Sequence, residues 1–185
     1  DAVCIGNAIV DVFSSAEPEF LTRHSLVPGS MNLIDEIQAE ALYGEMGPGR
    51  EVSGGSAGNT AAGIASLGGA CGFIGKVHND ELGKVFSHDM RAAGVAFDTA
   101  HLAAGPATAR CLILVTPDAE RTMNTFLGAC VELGPDDIGE DQIANAQVTY
   151  MEGYLWDPPK AKDAFRRAIE IAHGAGRKTA LTLSD

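Results

Sequence analysis

The sequence predicts an α/β protein, a mostly parallel sheet with helices on both faces and a small β element set apart from it. Three observations predict this. Short Val- and Ile-rich runs alternate with longer helical patterns, the order that builds parallel sheets from crossover units. A glycine-dense turn, Gly54-Gly55-Ser56-Ala57-Gly58-Asn59, links a short strand to a helix of small residues. It is followed by Leu67-Gly68-Gly69 and Gly72-Phe73-Ile74-Gly75-Lys76-Val77. The alternation breaks between Val95 and Phe126, where β segments succeed one another across turn residues.

Element by element, Ala2 to Val12 reads as one buried strand and Glu17 to His24 as a short helix. Ser30 to Ile34 reads as a strand. Asp35 then caps a helix through Met46, with Gln38 as its capping-box partner and Gly47-Pro48-Gly49 as its stop. Glu51 to Ser53 leads as a short strand into the glycine turn, the helix from Ala57 to Leu67 follows, and Ala70 to Val77 is the next strand. Asp80 to Ala93 fits a helix closed by Gly94. Val95 to Ala103 and Thr108 to Thr116 read as β segments joined through Gly105-Pro106. Pro117-Asp118-Ala119-Glu120 turns the chain into a return strand, Arg121 to Phe126. A short helix near Gln142, a strand from Gln147 to Glu152, a helix from Pro159 to Gly174 and a strand from Thr179 to Leu183 complete the reading. Ala161, Phe165, Ala168, Ile169 and Ala172 share one face of the last helix.

Composition bounds the function. Apolar residues make up 45% and charged residues 21% of the 185, enough for one packed domain. A net charge of -12 with no basic cluster argues against nucleic acid as a partner. No apolar run approaches the ~20 residues of a membrane helix, and no secretory signal is read, so a cytoplasmic setting is expected. Cys4, Cys71, Cys111 and Cys130 never form Cys-x-x-Cys and read as buried free thiols. His24, His78, His88, His101 and His173 are scattered, and no metal site is assigned.

The free amides at the start of the helix after Gly55 can hold hydroxyl or phosphate oxygens, and Asn59 adds a donor and an acceptor. Asp11 stands at a strand's carboxyl end, where open α/β sheets place ligands, although such an aspartate can equally satisfy turn amides. Asn59 can simply cap its helix, Asn7 can bond only backbone, Glu152 can be a strand-end charge in water, and Arg121 an exposed turn residue. Two other glycine readings fail. Ala70 and Val77 stand where a phosphate-binding P-loop around Gly75-Lys76 needs glycine and a hydroxyl, and Gly6-Asn7-Ala8-Ile9-Val10-Asp11 lacks the dinucleotide fingerprint.

Gly54-Gly55 through Asn59, Gly68, Gly75 and Asn79-Asp80-Glu81-Leu82-Gly83, with the opening Gly6-Asn7-Ala8-Ile9-Val10-Asp11, resemble the N-terminal signature of the PfkB carbohydrate kinases, the ribokinase and adenosine kinase group. Within it the look is to bacterial adenosine kinase-like members. The resemblance implies a ribokinase-like domain over residues 1–185, with a β lid from segments near 12–34 and 95–127. It implies transfer of the γ-phosphoryl of ATP, with Mg, to a primary hydroxyl of a ribose-containing acceptor, adenosine or a related nucleoside. A free-sugar kinase of the ribokinase or fructokinase type and a non-catalytic sugar- or nucleoside-binding protein are the alternatives. Asp11, Gly54, Gly55 and Asn59, with Asn7 and Ser56, match the family's sugar-binding positions, and Glu152 a sugar-contacting acid. Met31, Cys111, Met123, Thr125, Leu127 and Tyr154 match positions that touch the base or cover the sugar, and Arg121 could meet an anion in a closed lid. The family's Gly-Ala-Gly-Asp turn, with the catalytic base, and its Asn-x-x-Glu motif do not occur. The chain therefore reads as the substrate side of a longer kinase, the base and most ATP and magnesium contacts being expected beyond residue 185. An exposed lid edge could pair with a second subunit.

Overall fold

A computed structural model describes residues 1–183, so the last two residues of the expected domain lie outside it. Its first sheet has the order β10-β9-β1-β5-β6 and is parallel throughout, from Lys178–Thr182, Val148–Glu152, Ala2–Ile5, Cys71–Ile74 and Val95–Ala96. Period-two alternation explains why both faces are covered. Val3 and Ile5 enter one core cluster with Ile74, and with Phe165 and Ala168 of α6 (Pro159–Gly174). Cys4, Cys71 and Phe73 enter the other, with Ala57 and Ala61 of α3 (Ser56–Ser66) and Phe86 of α4 (Glu81–Ala92). Phe73, Phe86 and Phe97 pack with ring centroids 5.3–5.9 Å apart. The expected apolar stripe of α6 is present: Ala161, Ala164, Phe165, Ala168 and Ala172 are buried and Ile169 packs beside them.

The second sheet has the order β3-β8-β7-β2-β4, from Met31–Leu33, Arg121–Phe126, Ala109–Val115, Ile9–Ser15 and Arg50–Gly54. β7 and β8 form the expected hairpin. Ala119 takes φ 69°, and Asp118 accepts from the Thr116 hydroxyl at 2.6 Å. The capping box also forms, Gln38 N donating to Asp35 Oδ1 at 2.8 Å at the head of α2 (Glu36–Glu45).

Three elements differ from the sequence reading. The run Ala2 to Val12 is two strands in different sheets, because the chain breaks at Gly6-Asn7-Ala8. A side chain on Gly6 would lie 2.3 Å from Glu152 Oε2 and 2.6 Å from the Ala57 methyl. Apolar residues flank the break on both sides and only Gly6-Asn7 marks it, so the run reads as one strand. Of Val95 to Ala103 only β6 forms a strand among the described residues, joining the first sheet beside β5, while Leu102 makes an isolated parallel bridge to His78. β5 is also shorter than Ala70 to Val77. The structure adds 3-10 turns at Gly128–Glu132, Pro135–Asp137 and Gly153–Leu155. All four cysteines are buried and free, and no helix among the described residues is long and apolar enough to cross a membrane.

Candidate functional site

The carboxyl ends of β1, β9 and β10 open into a cavity of about 800 Å³ whose far wall is the second sheet. Its polar floor comes from the strand ends. Asn7 follows β1, and its main-chain amide donates to Glu152 Oε2 at 3.1 Å, at the end of neighbouring β9. Asn7 is 4% and Glu152 1% exposed, so among the described residues this carboxylate is held inside the protein by the Asn7 amide. A buried carboxylate is costly unless its remaining lone pairs find donors. Hydroxyl groups entering the cavity would be donors of this kind.

Gly55 and Ser56 complete the floor. Gly55 has φ 83° and ψ 140°, a region open almost only to glycine, and a side chain there would meet the Asn7 carbonyl oxygen at 2.4 Å. It stands at the N-cap of α3 without a side-chain cap, so the first amides of that helix remain available. Gly54 makes room in another way, since a side chain there would lie 2.3 Å from Asp11 Oδ2. The two glycines thus let the turn touch Asp11 on one side and Asn7 on the other.

Asp11 lies across from Cys111 of β7, which lies across from Thr125 of β8, which lies across from Leu33 of β3. Pairing keeps these side chains on one face of the sheet, the face that carries Ile9 into the cavity. Thr125 Oγ1 donates to Cys111 Sγ at 3.3 Å. Burial raises the Asp11 carboxyl from 3.8 to about 6. Burial likewise raises the Cys111 thiol to about 11, with the Thr125 hydroxyl opposing and the Asp11 charge adding to the rise.

Of the residues singled out from the sequence, the structure brings Asn7, Gly55, Ser56, Met31, Met123, Thr125, Glu152 and Tyr154 to this cavity, and Leu127 with them. Asp11, Gly54 and Cys111 are not in its lining but are strand neighbours of it: Gly54 pairs with Ile9, Cys111 with Thr125, and Asp11 with Cys111. Asn59 is exposed one turn after Ser56 and is not in the lining, its amide making the first helical bond to Gly55 O at 2.8 Å. Arg121 opens β8 and is exposed. Asp80, within the Asn79 to Gly83 segment, has a structural task. It accepts from Gly83 N at 2.8 Å, Thr108 N at 2.8 Å and Thr108 Oγ1 at 2.6 Å, tying α4 to the start of β7. Burial alone would raise its carboxyl, but these bonds, with His78 nearby, hold it below the ordinary value.

The sequence reading missed Ile9, Leu33, Gly153, Trp156, Asp157, Pro158, Leu181, Thr182 and Leu183 as cavity residues. Trp156 could have been found, since the sole tryptophan stands just past a strand's carboxyl end. Tyr154 is 46% and Trp156 39% exposed, with Lys162 Nζ 5.8 Å from the Trp156 ring centroid. Facing them, Met31, Leu33 and Met123 present an apolar wall.

Comparison with known proteins shows the same fold. The structure of adenosine kinase from Sinorhizobium meliloti superposes with a TM-score of 0.92 at 58% identity, covering 100% of this chain and 57% of that one. The "probable sugar kinase protein" of Rhizobium etli CFN 42 gives 0.92 at 55%, covering 100% and 56%. Among curated relatives, "Probable fructokinase-4" of Arabidopsis thaliana is 28% identical over 125 residues, covering 66% of this chain and 38% of that protein. The chain therefore spans between 38% and 57% of the length of these relatives. The model of the pfkB family carbohydrate kinases matches residues 26–185, and with the ribokinase-like arrangement of strands and helices just described, the chain belongs to that family.

Proposed function

We propose that this chain forms the acceptor-binding side of an ATP-dependent kinase that phosphorylates the primary hydroxyl of a ribose-containing substrate, a nucleoside such as adenosine. The observation that carries the reading is the two-part cavity. A floor of Asn7, Ser56 and Glu152 offers partners for hydroxyl groups, and a wall of Tyr154, Trp156, Met31 and Met123 suits a flat aromatic base. The likeness to the Sinorhizobium meliloti adenosine kinase supports the same acceptor.

In this reading the ionised Asp11 carboxylate accepts hydrogen bonds from two neighbouring ribose hydroxyls, and Asn59 closes on the ligand from the first turn of α3. The amides at Gly55 and Ser56 and the Glu152 carboxylate hold the remaining polar atoms. Together they fix the direction of the reacting alcohol, and closure of the second sheet as a lid excludes water as a competing acceptor. ATP supplies the phosphoryl group and its accompanying Mg neutralises phosphate charge. No cluster of three or more His, Cys, Asp or Glu among the described residues is placed to hold a metal ion, so no acceptor-side residue is given that task. The four free buried thiols fit a reducing cytoplasmic setting, and a second copy can pair along β3, one of the two edge strands of the second sheet.

A free-sugar kinase is the second reading, favoured by the curated fructokinase relative. Initial rates of ATP consumption by the complete gene product, with adenosine, other nucleosides, ribose and fructose as acceptors, decide between them. Adenosine or another nucleoside is expected to give the highest kcat/KM. A fructose or ribose preference replaces the nucleoside with a sugar, and binding of these ligands without phosphoryl transfer leaves only a binding protein.

A further inference from the structure

The Gly54-Gly55 turn hangs from an edge strand, and one carboxylate outside the cavity holds that strand from its open side. β4 is the last strand of its sheet and pairs only with β2. The main-chain amide of Ser53, immediately before Gly54, donates to Asp89 Oδ2 at 3.0 Å. Asp89 belongs to α4, which packs along β4, and its side chain is 30% exposed.

Nothing in α4 itself asks for an aspartate there. Residue 89 lies in the last turn of a helix ending at Ala92, where the dipole disfavours negative charge. Arg91, the basic residue of that turn, donates to the Phe97 carbonyl at 2.7 Å. Among the described residues, the recorded contacts of the Asp89 carboxylate are the Ser53 amide and His88 Nδ1, the latter 3.2 Å from Oδ1 on a mostly exposed ring. A residue that breaks a local rule is compensated elsewhere, and here the compensation is in β4.

We propose that Asp89 is a positioning residue for acceptor binding, holding the Ser53 amide so that the Gly54-Gly55 turn stays seated against Asp11 and Asn7. The tolerance of that seat is small. A single added carbon at Gly54 would come within 2.3 Å of Asp11, and one at Gly55 within 2.4 Å of the Asn7 carbonyl. A small drift of β4 therefore moves the turn relative to both acceptor-binding groups, while the phosphoryl-donor side is untouched. This inference rests on the kinase reading above.

The test uses the complete gene product, with steady-state kinetics for acceptor and ATP varied separately and thermal unfolding recorded alongside. Asp89→Ala is expected to raise the acceptor KM about tenfold, the scale of a lost charge-assisted amide bond, with the ATP KM unchanged within error. Asp89→Asn, which keeps an oxygen acceptor for the Ser53 amide, is expected to restore most of that loss. His88→Ala, which leaves the Asp89 to Ser53 bond intact, is expected to behave as wild type. An Asp89→Ala protein with unchanged acceptor KM overturns the proposal while leaving the kinase reading standing. So does an equal rise in both KM values, or an Asp89→Asn protein as impaired as Asp89→Ala. A wild-type protein that phosphorylates neither nucleosides nor sugars sinks the kinase reading, and this inference with it.

Discussion

Asp11 illustrates how burial sets up a charge for use. Its carboxyl is raised from 3.8 to about 6 by loss of water, and Gly54 is the only kind of residue that could stand against it. Between those two values the folded chain keeps a proton that the unfolded chain has released, so this group's contribution to stability falls as pH rises from about 4 to about 6. The Asp11→Asn protein is expected to lose that component of the pH dependence, as read from urea midpoints of variant and wild type between pH 4 and 7. Binding runs the other way. Hydroxyl donors select the ionised form, so the acceptor KM of the wild-type protein is expected to fall as pH rises through about 6, and Asp11→Ala to raise it at least about tenfold at neutral pH. An Asp11→Ala protein with wild-type KM removes this residue from the site. The sequence singled out Asp11 as the end of the first strand, but the structure puts it third in β2 (Ile9–Ser15) of the second sheet, because the break falls earlier, at Gly6-Asn7-Ala8. Its proximity to Gly54 was not legible in the sequence, since that contact joins residues more than forty positions apart.

At the scale of elements, the glycine turn and the segment around Asp80 show two different uses of a local signature. Gly55 combines a glycine-only backbone conformation with a 2.4 Å approach to the Asn7 carbonyl. Gly55→Ala is expected to cost about 2–4 kcal/mol of unfolding free energy, from backbone strain plus displacement of the Asn7 loop, measured by urea denaturation. Asp80 carries the cap of α4 and two bonds to Thr108. Asp80→Ala is expected to destabilise by about 2–3 kcal/mol while leaving the acceptor KM near wild type. Because its carboxyl is held below the ordinary value, its stabilising effect is present near neutral pH and lost as pH falls through the folded-state titration. The sequence marked both segments as parts of one signature. Only the contacts separate the first, at the cavity, from the second, in the scaffold.

For the molecule as a whole, the parallel sheet is the frame that brings distant residues to one place. Parallel pairing aligns the carboxyl ends of β1, β9 and β10, so Asn7, Glu152 and Thr182 converge from three parts of the chain. Lys76, just past β5 at the same edge, pairs with Asp137, and their side chains are only 11% and 12% exposed. This pair fastens the long connection after β8 to the sheet. Lys76→Met strands a buried carboxylate and is expected to cost about 3–5 kcal/mol, whereas Lys76→Met with Asp137→Leu should recover much of that loss, as a double-mutant cycle in urea will read.

The sequence by itself determined the class of fold, the helices with their caps, the hairpin and the family signature, because helical period, capping chemistry and turn residues act over a few positions. Tertiary structure decided where the first strand breaks, that β6 belongs to the core sheet, and that Trp156 and Leu181 face the same cavity as Met31. It also decided that Glu152 is buried on the Asn7 amide and that Asp89 grips β4. Each of these depends on which strands lie side by side, and that is settled by long-range packing.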